Sequence, residues 1–396
     1  MNFRTLDQID PDAKRVLVRV DFNVPMEHGA VSDDTRLRAA ASTINLLREK
    51  GAKVILLAHF DRPHGKRVPS MSLEPLAEPL SRLLRTPVAF ADDCIGASAE
   101  RAVSEMARGE VLLLENLRFH PGEEANDPLF AKALAMNGDI FVNDAFSAAH
   151  RAHASTEGIA HLLPAYAGEA MRREVGALDV VLGNPRRPVL GIVGGSKIST
   201  KLSILRHLIA RLDKLAIGGG MANTFLFAQG WEVAASYCEK NLSDAARQLI
   251  GMAEDERCEL LLPVDIVVAE RAAAGVAART RGLGEVDEGE RILDAGPETV
   301  ARLTSAMDQV ETLVWNGPLG VFETPPFDRG TTAAARHAAA LVRAGKLIAV
   351  AGGGDTVAAL NRAGVAQDFT FVSTAGGAFL EWLEGRSLPG LAVLQA

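Results

Sequence analysis

The chain predicts an α/β fold of two doubly wound, Rossmann-like lobes of parallel sheet, and three observations carry that reading. Short apolar runs alternate with longer stretches of helical period, as βα units around a parallel sheet do. At 396 residues the chain exceeds the length at which single cores stop growing, so two domains follow. The apolar runs also number more than eight and are irregularly spaced, which disfavours a (β/α)₈ barrel.

Taken in order, the runs 16–24, 53–60, 111–119 and 139–146 read as strands of the first lobe, with helices over 35–50, 72–85 and 98–108 between them. Residues 169–182 read as a charged amphipathic helix, and the Gly-Asn-Pro-Arg-Arg-Pro segment ending at Pro188 is a clear break. The predicted division is therefore 1–168 for the N-terminal lobe, 169–187 for a connecting helix and hinge, and 188–378 for the C-terminal lobe. In that second lobe, strands are predicted near 189–193, 214–217, 259–268, 312–315, 346–350 and 369–372. Residues 271–297, rich in Ala, Gly, Arg and Glu, read as an exposed insertion between a strand and a helix.

Composition narrows the function classes. With 48% hydrophobic and 23% charged residues, the chain is that of an ordinary globular protein. A net charge of −8 disfavours nonspecific binding to nucleic acid or anionic lipid, so an anionic ligand must be met by local basic groups. Cys94, Cys238 and Cys258 are widely spaced and outside any CxxC pattern, which argues against a disulfide framework or a zinc site and fits a reducing compartment. No apolar signal core follows Met1, and no run is long enough to span a bilayer. The reading is a cytoplasmic enzyme.

In open α/β sheets, ligands bind beyond the carboxyl ends of the strands, so the residues that end each strand are informative. In the first half these are Asp21-Phe-Asn23, His59-Phe-Asp-Arg62, Glu115-Asn-Leu-Arg118 and Asn143-Asp144, with His150-Arg-Ala-His153 following and Arg36 opening a helix. Arginine forks pair bidentately with carboxylates and phosphates, so this rim suits a small ligand with several negative charges. In the second half the strands end in glycine: Gly194-Gly-Ser-Lys197, Gly218-Gly-Gly220, Asn316-Gly-Pro, Gly352-Gly-Gly-Asp355-Thr356 and Ala375-Gly-Gly. Converging glycine turns imply a ligand that touches backbone closely, as a nucleotide does. Neither GxxxxGK[ST] nor GxGxxG occurs, and the absence of the latter disfavours a nicotinamide oxidoreductase. Lys197 and Lys201 fall one turn apart at a predicted helix start, where a bound anion would offset their opposition to the helix dipole.

The Gly352–Thr356 turn poses a choice. A glycine loop opening a helix is a phosphate site, yet Asp355 stands where a phosphate would be. Asp355 is either an N-cap or the ligand of a cation that bridges it to the phosphate. A basic small-anion lobe facing a glycine-rich nucleotide lobe makes phosphoryl transfer the economical reaction.

Several long strings resemble the phosphoglycerate kinase family: Val18-Arg-Val-Asp-Phe-Asn-Val-Pro25, Leu113-Leu-Glu-Asn-Leu-Arg-Phe119, Asn143-Asp-Ala-Phe-Ser-Ala-Ala-His-Arg-Ala-His153, Gly194-Gly-Ser-Lys-Ile-Ser-Thr-Lys201, Trp315-Asn-Gly-Pro-Leu-Gly-Val-Phe-Glu323 and Gly352-Gly-Gly-Asp-Thr356. They occur in the family's order and cover essentially the whole chain. The resemblance implies reversible, magnesium-dependent phosphoryl transfer between 1,3-bisphosphoglycerate and ADP, giving 3-phosphoglycerate and ATP. It implies glycerate contacts at Asp21, Phe22, Asn23, Arg36, His59, Phe60, Asp61, Arg62, Arg118 and Arg151. Nucleotide contacts are implied at Lys201, Asn316, Glu323, Gly353, Gly354, Asp355 and Thr356, with Asp355 serving the Mg²⁺ and Arg36 and Lys197 the transition state. It further implies a monomer whose lobes close about a hinge, and a tail, 379–396, that returns to the first lobe.

Three departures from the family pattern stand out. His59-Phe-Asp-Arg-Pro63 replaces His-Leu-Gly-Arg-Pro and sets an acid beside Arg62. Ser373-Thr-Ala-Gly-Gly-Ala-Phe379 replaces Ser-Thr-Gly-Gly-Gly-Ala-Ser, and Leu293-Asp-Ala-Gly-Pro297 replaces Leu-Asp-Ile-Gly-Pro. The alternative of a catalytically silent, nucleotide-binding paralogue would be marked by loss of Arg36, Lys197 or Asp355, and all three are present.

Overall fold

The computed structural model describes residues 3–27 and 29–395, arranged as two compact units. The first comprises residues 1–176 with 387–396, and the second residues 177–386.

Six parallel strands build the first unit, in the order Val88–Ala91, Val111–Leu114, Lys53–Leu57, Arg15–Arg19, Ile140–Asn143, Ala165–Ala167. The central strands are apolar on both faces because helices cover both sides of a doubly wound sheet. Val16, Leu17 and Val18 are fully buried, as are Val54, Ile55, Leu56 and Leu57. The helix Thr35–Glu49 lays Leu37, Ala40, Ile44 and Leu47 on this core, at the i, i+3, i+4 spacing of one helical face. Both edge strands, Val88–Ala91 and Ala165–Ala167, are too short to stand out as apolar runs. The strands predicted over 16–24, 53–60 and 111–119 stop well before their apolar runs do. Beyond residues 19, 57 and 114 the chain turns out of the sheet, which puts the polar residues in loops at its carboxyl edge.

Asp144 follows the strand Ile140–Asn143 and fixes the helix Glu169–Leu178. Its carboxylate accepts hydrogen bonds from the N–H groups of Ala170 and Met171, at 2.8 and 3.2 Å, in the first turn of the helix Glu169–Leu178. Burial pushes its pKa up to about 7, and the hydrogen bonds only partly offset that. A carboxyl raised in the folded state holds its proton where the unfolded chain has released it, so the folded state loses stability as pH rises from about 4 to about 7. Asp144→Asn keeps the acceptor and removes the charge. The melting midpoint of the variant is expected to decline less over this pH range than that of the unsubstituted protein, and equal declines would show that Asp144 is charged throughout.

The second unit holds another six-stranded parallel sheet, ordered Glu259–Leu261, Lys214–Ile217, Val189–Val193, Thr312–Asn316, Ile348–Gly352, Phe371–Ser373. The helix Arg329–Arg343 packs Ala334, Ala335, Ala338 and Ala339, all fully buried, into the same core as Leu190, Ile192, Leu313 and Trp315. Small side chains let that helix approach the sheet closely.

Two predictions change here. The single run 259–268 is two strands of different sheets, Glu259–Leu261 and Asp265–Ala269, broken at Pro263, which has no N–H to donate to a ladder. The predicted insertion at 271–297 is structured: Arg279–Gly282 and Arg291–Ala295 pair antiparallel on either side of Asp265–Ala269. The last segment, 387–396, belongs to the first unit, where Asn143 Nδ2 donates to the Gly390 carbonyl at 3.0 Å and Leu388, Leu391 and Leu394 are buried. Residues 379–386 belong to the second unit, 379–383 within the helix Gly376–Leu383.

Candidate active site

In the first unit the predicted rim residues form a continuous hydrogen-bonded chain. Arg36 Nη1 donates to Asp21 Oδ1 at 3.1 Å and to the Asn23 carbonyl at 2.8 Å. Asn23 Oδ1 accepts from the Asp61 N–H at 3.0 Å, and the Asp61 carbonyl accepts from Arg118 Nη1 at 2.8 Å. Ser147 Oγ donates to the second Asp21 oxygen at 2.5 Å. Loops from four strands are thereby held in one register.

This arrangement resolves the departure at Asp61. Its backbone, not its carboxylate, joins Asn23 to Arg118, and its φ of +53° is left-handed. Glycine adopts that conformation freely, and Asp is among the few other residues that tolerate it. Among the described residues Asp61 forms no ion pair with Arg62, so the Arg62 guanidinium stays exposed and unpaired.

The Phe22 side chain is fully buried in the core of the first unit, so a ligand at this position would meet its backbone. Phe60 is half-buried, with its N–H and carbonyl bound by the Asn116 side chain. His59 and Arg118 are also buried, whereas Arg36 and Arg151 are half-exposed.

Beneath the rim lies a network that reading strand ends did not find. Arg19, buried at 1% exposure, donates Nε to Ser155 Oγ at 2.9 Å, and its Nη2 lies 2.9 Å from His59 Nδ1. Burial, reinforced by the positive charges of Arg19, Arg118 and Arg151, holds His59 well below its ordinary pKa. A neutral His59 therefore accepts from Arg19 on Nδ1 and carries its proton on Nε2. Glu123, fully buried, accepts from the Ser155 N–H at 3.0 Å and from Ser155 Oγ at 2.6 Å, and lies 3.7 Å from His153 Nδ1. Burial pushes Glu123 up, but His153, Arg19 and Ser155 more than offset it and keep it anionic. One signal was available: Arg19 is the one cation in the predicted run 16–24 and stands between the apolar Val18 and Val20.

In the second unit the glycine turns interlock. The Gly194 N–H donates to the Asn316 carbonyl at 2.9 Å, the Gly317 N–H to Thr356 Oγ1 at 2.7 Å, and Asn316 Nδ2 to the Gly352 carbonyl at 2.7 Å. Lys201 Nζ donates to the Asn316 carbonyl at 3.2 Å and to Asn316 Oδ1. Burial lowers the Lys201 pKa to about 8, against the pull of the Asp355 carboxylate. The lysine placement differs from the prediction. The helix begins at Leu202 with Lys201 as its N-cap residue, and Lys197 lies in the preceding turn, exposed and in no ion pair among the described residues.

Asp355 is not an N-cap. Gly353, with φ +96°, holds that position and the helix runs Gly354–Ala363. The Asp355 carboxylate is exposed, and among the described residues no protein donor bonds to it. It lines a cleft of about 320 Å³ together with Glu323, Gly195, Gly219, Leu293 and Pro318. An exposed, unpartnered carboxylate beside glycine turns fits a hard divalent cation shared with ligand phosphates, because Mg²⁺ takes one or two carboxylates and keeps its other positions for water and phosphate oxygens. Asp294 lines the same cleft, buried, and burial pushes its pKa up to about 7.

The family model described as "Phosphoglycerate kinase" matches residues 6–386. The phosphoglycerate kinase of Caulobacter vibrioides is 66% identical over 396 residues, covering 100% of both chains. That of Bradyrhizobium diazoefficiens is 58% identical, covering 99% of this chain and 98% of its own. Among solved structures, phosphoglycerate kinase from Coxiella burnetii superposes with a TM-score of 0.93 at 41% identity, covering 99% of this chain and 98% of its own. The enzyme from Pyrococcus horikoshii superposes with a TM-score of 0.80 at 29% identity over 99% and 98%.

Proposed function

The chain belongs to the phosphoglycerate kinase family, and from that premise we propose how its two rims divide the work. The enzyme is a phosphotransferase with a carboxyl group as acceptor. It transfers a phosphoryl group reversibly between 1,3-bisphosphoglycerate and ADP, giving 3-phosphoglycerate and ATP, the glycolytic reaction of the family. The observation that carries the assignment is the reach of the match, which spans both units at high identity.

In this reading the first unit binds the glycerate at the Arg36–Asn23–Asp61–Arg118 chain, with Arg62 and Arg151 completing the positive rim. His59, held neutral, offers a hydrogen bond without adding a further cation. The second unit binds the nucleotide over Lys201, Asn316, Glu323 and Gly353 to Thr356. A Mg²⁺ held by Asp355 would neutralise charge on the nucleotide phosphates. Arg36 and Lys197 face the oxygens that carry charge during in-line transfer, and closure about the hinge brings the two ligands together and excludes water. Lys197 suits that role because it is exposed and, among the described residues, in no ion pair. Cytoplasmic residence and a monomeric state belong to the same proposal, and the three free cysteines fit the first of these, a reducing compartment.

A coupled assay with ATP, magnesium and 3-phosphoglycerate tests the function directly. Turnover is expected; nucleotide binding without turnover would instead favour the silent paralogue. For the metal, Asp355→Asn is expected to shift half-maximal turnover to higher magnesium without lowering the melting midpoint, since among the described residues no protein donor bonds to the carboxylate. Full activity at low magnesium would refute metal ligation by Asp355.

A further inference from the structure

We infer that Asp93, Cys94 and His120 form a second metal site, one for a zinc-class divalent cation, at the edge of the first unit's sheet. Parallel pairing of two adjacent strands creates it. Val88–Ala91 pairs with Val111–Leu114, so the loops that follow them emerge side by side. The first loop carries Asp93 and Cys94 just before the helix Gly96–Glu105, and the second carries His120 just after the turn Leu117–Phe119. One carboxylate oxygen, the thiol sulfur and one imidazole nitrogen lie within 4.8 Å of one another. His120 Nε2 is 2.7 Å from Asp93 Oδ1, so two of the three donors are already in contact.

The surroundings are those of a metal centre. Cys94 is buried at 1% exposure, while Asp93 and His120 are half-exposed, which gives a sulfur ligand on the inner side and a route to solvent on the outer. Three protein ligands with a fourth position open to water is a common zinc arrangement. The supports are firm. Asp93 Oδ1 also accepts the Cys94 N–H at 2.7 Å, and the His120 ring stacks on Phe130 with centroids 5.2 Å apart.

The donor set also selects the ion. Thiolate and imidazole favour zinc and its neighbours, whereas Mg²⁺ requires oxygen ligands. The site therefore does not compete for the cation at Asp355. Binding deprotonates the thiol: the Cys94 sulfur gives its proton to solvent and its lone pair to the metal, and His120 Nε2 exchanges its contact with Asp93 for the metal. Because burial holds the free thiol protonated, affinity rises with pH. The sequence hid the site because Asp93-Cys94 and His120 are separated by a whole strand and match no ligand-spacing motif.

The test uses the untagged, full-length protein, titrated with Co²⁺ and then with Zn²⁺. One equivalent of Co²⁺ is expected to give a sulfur-to-cobalt charge-transfer band that Zn²⁺ abolishes, and Zn²⁺ is expected to raise the melting midpoint. Cys94→Ser should abolish the band and His120→Ala should weaken zinc binding by at least about 10-fold. Retained turnover in the phosphoglycerate assay shows that each variant is folded. Cys258→Ser should leave band and affinity unchanged. Absence of the band in the unsubstituted protein, a band that persists in Cys94→Ser, or zinc affinity unaffected by both substitutions would each overturn the site and leave Asp93–His120 a loop staple beside a core cysteine.

Discussion

Arg36→Ala is expected to lower kcat by about 10³-fold or more, the scale on which arginines that stabilise a phosphoryl-transfer transition state act. The geometry of Arg36 supports an effect of that size. Nη1 is committed to Asp21 and the Asn23 carbonyl, which fixes the plane of the guanidinium. Among the described residues, Nη2 and Nε have no protein acceptor, so two donors remain for charge that develops on the transferring oxygens. Preorganised donors of this kind cost no reorganisation during the reaction. Arg36→Lys should recover little of the loss, because an ammonium cannot keep one donor on Asp21 and present a planar pair to the ligand. Asp21 keeps Ser147 as a partner and is partly exposed, so the melting midpoint should move little. Steady-state kinetics with both substrates varied, alongside a melting curve, provides the check. An unchanged kcat would remove Arg36 from the transition state.

The buried parallel strands were legible where apolar runs were clean. The runs at 189–193 and 214–217 coincide with the strands Val189–Val193 and Lys214–Ile217. Strand exits were less legible, because residues such as Val20 and Phe22 remain fully buried after the chain has left the sheet. Apolarity reports burial, not hydrogen-bonding partners. The antiparallel strand Arg279–Gly282 escaped notice for the converse reason. Its Arg-Thr-Arg-Gly pattern is half-exposed or exposed throughout, and it is held by pairing with Asp265–Ala269 rather than by an apolar run. At the site, Arg36, Asp355 and the glycine turns were legible because charge or backbone freedom at a strand end requires an explanation. Arg19 and Glu123 were not, because their roles depend on each other across a hundred residues, through Ser155. Nor did residue type decide whether Asp355 caps the helix; the position of Gly353 at the helix start excludes that reading.

Gly194→Ala is expected to have the largest structural effect of any single methyl group added to the second unit. A Cβ on Gly194 would stand 1.9 Å from the Pro318 carbonyl oxygen, and one on Gly317 would stand 2.2 Å from the Gly194 carbonyl oxygen. The turns leaving two neighbouring strands thus pack backbone against backbone, with no flexible side chain to give way. Relief requires moving the Asn316–Pro318 turn, which breaks the 2.9 Å Gly194–Asn316 hydrogen bond and displaces the residue that anchors Lys201 and the Gly352 carbonyl. Overpacking of this kind costs about 3 kcal/mol, which at roughly 2–4 °C per kcal/mol lowers the midpoint of this unit by about 6–12 °C. Nucleotide binding should fall with it, since the turn that moves carries one wall of the cleft. Gly354→Ala separates the two effects. No atom lies within 4 Å of the methyl it would add, and its backbone is helical, so the fold should tolerate alanine and any loss of nucleotide affinity must come from the ligand's close approach to that turn. Calorimetric melting and nucleotide titration of both variants decide the matter. A Gly194→Ala protein that melts normally would mean the two turns are not locked together.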